Sequence, residues 1–224
     1  MKSAILATAL VLASCASPET EELVCKAGSD RNATTLPLKT GRRYFPESLG
    51  QPSYQCGGEC QPVISETEST WYPEFWDAAT EPSLYLASQR GMGERDLIVR
   101  FTWLRTFHHP VFVRITRTAG RTHLIATELS GQGGYEPGKV QKRVERELST
   151  AEAGVLNSIL RRSPIFDEPS KVCNLGMDGA QWIFERADQN GYRFINRWSP
   201  ESGPSRDLGI TVLKMTGWTF DEIY

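Results

Sequence analysis

Two carboxylates, a carboxamide and a guanidinium fall close together late in the chain: Asp178, Glu185, Asn196 and Arg197. A carboxylate can do acid–base work when apolar neighbours raise its pKa, and a nearby cation or amide then orients what it touches. Glu185 sits among apolar neighbours on its strand face, and these four residues form the candidate surface site. The competing reading is structural. Asp178 caps a turn, Glu185 pairs with a nearby arginine and Trp198 packs. Two carboxylates of unknown separation do not define a glycosidase, so no residue is named as catalytic.

Other chemistry finds less support. The chain has 3 histidines. His108 and His109 are adjacent, so on extended chain they point apart, and His123 stands alone; no metal or other cofactor is expected. Neither a G-x-S-x-G elbow nor an H-E-x-x-H helix is present. Gly133 to Lys139 fits G-x-x-x-x-G-K, but Val140 follows where a phosphate loop needs Ser or Thr. The strands before it read as antiparallel, so no nucleotide is expected, and the glycines are read as a wide turn needing positive φ. With 25 Lys and Arg against 27 Asp and Glu, net charge −2, nothing points to nucleic acid.

The candidate residues need a scaffold, and Asp178 to Pro200 supplies one. Gln181 to Ala187 and Tyr192 to Trp198 are rich in aromatic and branched residues, and Asn190-Gly191 between them is a tight-turn signal. A loop of two or four residues puts Ile183 and Glu185 on one face with Tyr192, Phe194, Asn196 and Trp198. Trp182, Phe184 and Arg186 then share the other with Arg193, Ile195 and Arg197.

The rest of the chain reads as follows. Pro37 to Pro62 is rich in Gly, Pro and Ser and reads as loop. Trp71 to Trp76 is an aromatic cluster, read as a core plug ahead of a carbohydrate or peptide platform. Leu84 to Ala87 reads as a short extra strand. Leu97 to Phe107, Val111 to Thr118 and Thr122 to Leu129 alternate as a three-stranded meander, with Ala119-Gly120 as one turn. Val140 to Leu148 fits either period. Ser149-Thr150-Ala151-Glu152 is a capping box opening a helix from about Thr150 to Arg162. A last helix runs from about Ser205 to Thr216. The expected fold is a single α+β domain over residues 37–224: a twisted antiparallel sheet of about five or six strands with two helices on one face.

The amino terminus carries a sharper signal. Lys2 precedes an apolar run from Ala4 to Ala13, and Leu12-Ala13-Ser14-Cys15 follows. This resembles the bacterial lipobox, in which the cysteine is lipidated and becomes the first mature residue. The resemblance implies a signal peptide over residues 1–14, a membrane anchor on Cys15 and a spacer over 15–36. Ala16 stands where an inner-membrane protein usually carries Asp, which implies the periplasmic face of an outer membrane. Four further cysteines, Cys25, Cys56, Cys60 and Cys173, suggest two disulfides in an exported chain. Three pairings are open, and each ties Cys173 to the amino-terminal segment.

The body carries a second resemblance. Asp178-Gly179, Trp182, Glu185 and Arg197-Trp198-Ser199-Pro200 follow a D-G-x-x-W-x-x-E … R-W-S-P arrangement. Together with Gly133-Gly134-Tyr135, this resembles an uncharacterised family of exported bacterial proteins, over roughly residues 80–217. It implies kinship and no activity. The expectation is an envelope lipoprotein that binds a protein or glycan partner without catalysis. The alternative is an envelope hydrolase working on glycans or peptides through Glu185 and Asp178.

Overall fold

Leu97 to Arg105 is buried on both faces along almost its whole length and runs through the interior of the six-stranded sheet. The computed structural model describes Cys25, Leu36 and residues 43–162, 164–174 and 176–224. The expected signal peptide, Cys15 and most of the spacer lie outside the described residues.

In chain order a 3-10 turn at Glu47–Gly50 is followed by a hairpin, β1 (Pro52–Cys56) and β2 (Glu59–Pro62). Two helices follow, α1 (Glu66–Ala78) and α2 (Leu84–Gln89). Then come β3 (Leu97–Arg105), β4 (Val111–Thr118), β5 (Arg121–Leu129), β6 (Val140–Glu147) and α3 (Thr150–Arg162). The chain ends with β7 (Ala180–Asp188), β8 (Gly191–Trp198) and α4 (Pro204–Met215). The main sheet is antiparallel throughout, in the order β6-β5-β4-β3-β7-β8. The α+β class is as expected, with six strands in this sheet.

Alternation divides the core into two layers. Leu97, Val99, Phe101 and Trp103 point to one face, where Leu156 of α3 and Leu208, Val212 and Met215 of α4 cover them. Leu104, Phe112, Ile183 and Phe194 point to the other, under Tyr72, Phe75 and Trp76 of α1. Each fully buried aromatic contributes on the order of 1.5–3 kcal/mol by leaving water. Two helices thus share one face as expected, and the chain before β3 supplies the cover for the second.

That second layer differs from the sequence reading in two places. Leu84 to Ala87 is helical, not a strand: Ser83 Oγ accepts from Leu86 N at 3.1 Å and starts α2. The stretch read as loop contains the β1–β2 hairpin. The aromatic cluster lies on α1 and is core, as expected. A capping box opens that helix: Ser65 Oγ accepts from Glu68 N at 3.2 Å, and Glu68 Oε2 accepts from Ser65 N at 2.9 Å.

Val140 to Glu147 resolves as an edge strand whose charged side chains discourage pairing with other chains. The glycine loop before it also differs in kind. Among its glycines only Gly138 has positive φ. Gly133 is needed for close approach, since a Cβ there would lie 2.5 Å from Arg105 N.

Candidate functional site

The β7–β8 hairpin sorts its side chains as its alternation dictates. Gln189 and Asn190 form a two-residue loop, closed by Gly191 at φ 107°. Glu185 pairs with Phe194 and Ile183 with Asn196, while Trp182 faces Arg197 across the strands. Of the four nominated residues, Glu185 and Asn196 therefore share one face, Arg197 takes the other, and Asp178 precedes the hairpin.

Glu185 is fully buried, on the sheet face that α1 covers. It lies opposite Arg100 of β3, whose Nε donates to Oε2 at 2.6 Å. Tyr192 Oη donates to Oε1 at 2.8 Å. The Arg100 guanidinium stacks 4.3 Å from the Trp76 ring centroid and donates to the Pro82 carbonyl at 2.7 Å. Glu81 completes the cluster, 3.5 Å from Arg100 and 2.9 Å from Arg114. Two cations and two anions balance. Burial pushes the Glu185 carboxyl above its ordinary range, and Arg100 and the Tyr192 hydroxyl pull against it.

Arg197 is also structural in its contacts. It donates to Glu168 Oε2 and to the Pro169 carbonyl, both at 2.9 Å, and so fixes the segment before Lys171. Asp178 is exposed and lines a different depression, with His108, Ser199, Glu222 and Tyr224. Glu185 and Asp178 share no cavity among those lined by described residues. His108 Nδ1 lies 2.6 Å from Tyr224 Oη, and His109 Nδ1 lies 2.9 Å from the Gly131 carbonyl. Among the described residues no three His, Cys, Asp or Glu side chains are grouped to hold a metal.

Asn196 lines a larger cleft than the depression at Asp178. The cleft has a volume of about 480 Å³, within the range of small-ligand sites. Its floor is Gln181, Asn196 and Trp198 on one face of the hairpin, and its walls include Tyr54 of β1, Lys171 and Asn174. Cys56 pairs with Cys173 and Cys25 with Cys60, so the first disulfide joins the β1 wall to the segment on the other side. That selects one of the three open pairings. Val172 and Met177 stand exposed on the rim.

A polar relay runs from the floor into α1. Asn196 Nδ2 donates to Tyr72 Oη at 3.1 Å, and Tyr72 Oη donates to Glu68 Oε1 at 2.8 Å. Lys171 Nζ donates to the same Glu68 oxygen at 2.6 Å. Burial works to raise the Glu68 carboxyl, but Lys171, the Ser65 amide and Tyr72 outweigh it and hold it below its ordinary value. The relay commits the Asn196 nitrogen inward. Its Oδ1 is left buried with no hydrogen-bond partner, in a side chain only 2% exposed.

Protein-family models and curated proteins were compared with the chain, and none matches. Several residues of the D-G-x-x-W-x-x-E … R-W-S-P arrangement have a packing role. A Cβ on Gly179 would come within 2.9 Å of the Trp198 ring and 2.5 Å of Ser199 Oγ. Ser199 Oγ accepts from Ala180 N at 2.8 Å, closing the open end of the hairpin. Trp182 Nε1 donates to the main-chain oxygen of Tyr224 at 2.8 Å, and Trp103 Nε1 donates to the same oxygen at 3.0 Å.

Sequence reasoning missed Tyr54, Lys171, Asn174 and Gln181 as site residues. Asn196 and Cys173 pointed to that region, the cysteine because every disulfide pairing brought the amino-terminal segment to it.

Proposed function

We propose that this is a lipid-anchored envelope protein that works by binding and not by catalysis, with the cleft over Asn196 as its binding site. The observation that carries the reading is the Asn196 Oδ1 atom. A buried acceptor without a partner costs about 1–3 kcal/mol; Asn196 lines the cleft, so a donor bound there that reaches Oδ1 offsets that cost. The disulfide across the cleft supports the same reading, since it holds two walls in place before anything binds. Kinship with exported proteins of the D-G-x-x-W-x-x-E … R-W-S-P type rests on the sequence resemblance alone.

The anchor and the location rest on Leu12 to Ala16. Radiolabelled palmitate enters the wild-type chain and is absent from Cys15→Ala, and the labelled chain sediments with outer-membrane fractions. Label in Cys15→Ala, or none in wild type, overturns the anchor. For the cleft, envelope extract is added to the isotope-labelled full chain in detergent. Proton–nitrogen spectra then show shifts of the Trp198 indole and Asn196 amide while the Trp76 indole stays in place. An extract that leaves all three unmoved overturns the binding site.

A further inference from the structure

We infer that the cleft takes a neutral carbohydrate, a conclusion that rests on the cleft being the binding site. The first ground is charge. Lys171 is the cation of the cleft, and Glu68 holds it at 2.6 Å while the Val63 carbonyl accepts from it at 3.4 Å. The pair is neutral, so neither an anionic nor a cationic ligand finds a free counter-charge.

The second ground is the type of polar group. Asn174, Gln181 and Asn196 bring three carboxamides to one cleft. A carboxamide offers both donors and an acceptor, which suits hydroxyl groups that also do both. The orphan Asn196 Oδ1 specifically asks for a donor, and a sugar hydroxyl is one.

The third ground separates a sugar from a peptide. A peptide bound along a sheet edge takes main-chain hydrogen bonds from the outer strand. Here the outer edge of β8 is already occupied: Asn196 N donates to the Ser170 carbonyl at 2.7 Å, and Asn174 Nδ2 donates to the Trp198 carbonyl at 3.3 Å. What remains for a ligand is side-chain amides and the apolar surfaces of Tyr54 and Trp198. Aromatic rings of this kind pair an apolar face with a polar handle, matching the C–H faces and hydroxyl rims of a pyranose.

The test uses the full chain in a zwitterionic detergent that carries no sugar. N,N′-diacetylchitobiose, maltotriose and cellotriose are titrated separately, with trialanine and glycerol phosphate as probes of the other classes. The expected result is saturable movement of the Trp198 indole and Asn196 amide resonances with at least one oligosaccharide. Gln181→Ala weakens that binding roughly fivefold, the equivalent of one hydrogen bond, at an unchanged melting temperature. Asn196→Leu abolishes it; Gln181→Ala keeps the question answerable if the loss of the Tyr72 contact unfolds that variant. Movement with trialanine or glycerol phosphate and with no oligosaccharide overturns the carbohydrate while leaving the binding cleft standing. Movement with no probe and none with envelope extract removes both.

Discussion

Arg100 and Glu185 form an ion pair between neighbouring strands in which neither side chain reaches solvent. The carboxylate that looked most like an acid or base in the sequence is thus the anion of a buried cluster. Removing one partner of such a pair strands the other charge, whereas replacing both with apolar groups removes the desolvation cost as well.

Glu185→Ala therefore lowers the unfolding free energy by about 3–5 kcal/mol. The double variant Arg100→Leu with Glu185→Leu loses less than Glu185→Ala alone. Urea denaturation of the three chains checks this, and additive losses in the double variant contradict it.

The same substitution should have opposite signs in two helices. Gly209 of α4 lies against Trp182, and a Cβ there would come within 2.2 Å of Cζ3. Gly154 of α3 is exposed, with nothing within 4 Å of a built Cβ. Gly154→Ala stabilises by about 0.5–1 kcal/mol through helix propensity. Gly209→Ala destabilises by about 1–3 kcal/mol despite that propensity, because the tryptophan has to move. Thermal melts followed by tryptophan fluorescence separate the two; a stabilised Gly209→Ala would mean the ring yields freely.

The two disulfides differ in the length of chain they close. Cys56 and Cys173 are separated by 117 residues, and Cys25 and Cys60 by 35. On the chain-entropy account the first contributes about 5 kcal/mol and the second about 4 kcal/mol. Cys56→Ser with Cys173→Ser accordingly loses more stability than Cys25→Ser with Cys60→Ser, and it alone releases a wall of the cleft. Peptide mapping without reductant checks the pairing, and denaturation checks the order of the losses.

Glu152 links α3 to acid stability. A hydrogen bond from Arg146, followed by those from the Ser149 hydroxyl and amide, lowers its carboxyl from 4.5 to about 2. A carboxyl lowered by folding stabilises the fold above its unfolded-state value and loses that contribution as pH falls through the folded one. Unfolding free energy should decline between pH 4.5 and about 2, by an amount reduced through solvent screening of this partly exposed pair. Glu152→Gln keeps a capping side chain and removes the charge, so it flattens this decline. Urea midpoints across that range measure it, and parallel curves for the two chains would rule Glu152 out.

Local patterns in the sequence are enough to determine the local structure of much of the sheet. The facing of Trp182, Phe184, Glu185 and Asn196 follows from period-two alternation and an even loop, both contained in the residues themselves. The capping box at Ser149 and Glu152 likewise opens α3 at Thr150. A matching box at Ser65 and Glu68 marks α1 in the same way, but Pro73 and the aromatic residues around it mask the helix. Leu84 to Ala87 is too short for either period to decide, and the Ser83 cap with packing on β7 and β8 decides it.

Only the tertiary structure could give Glu185 its partner, which stands 85 residues earlier in the chain. The same holds for the choice among three cysteine pairings. It holds also for the cleft, assembled from Tyr54, Lys171 and Asn196 on three separate segments. Periodicity and capping act over a few residues, so one segment carries them whole. Ion pairs, disulfides and cavities depend on which distant segments come together, and that follows from burying both faces of the sheet at once.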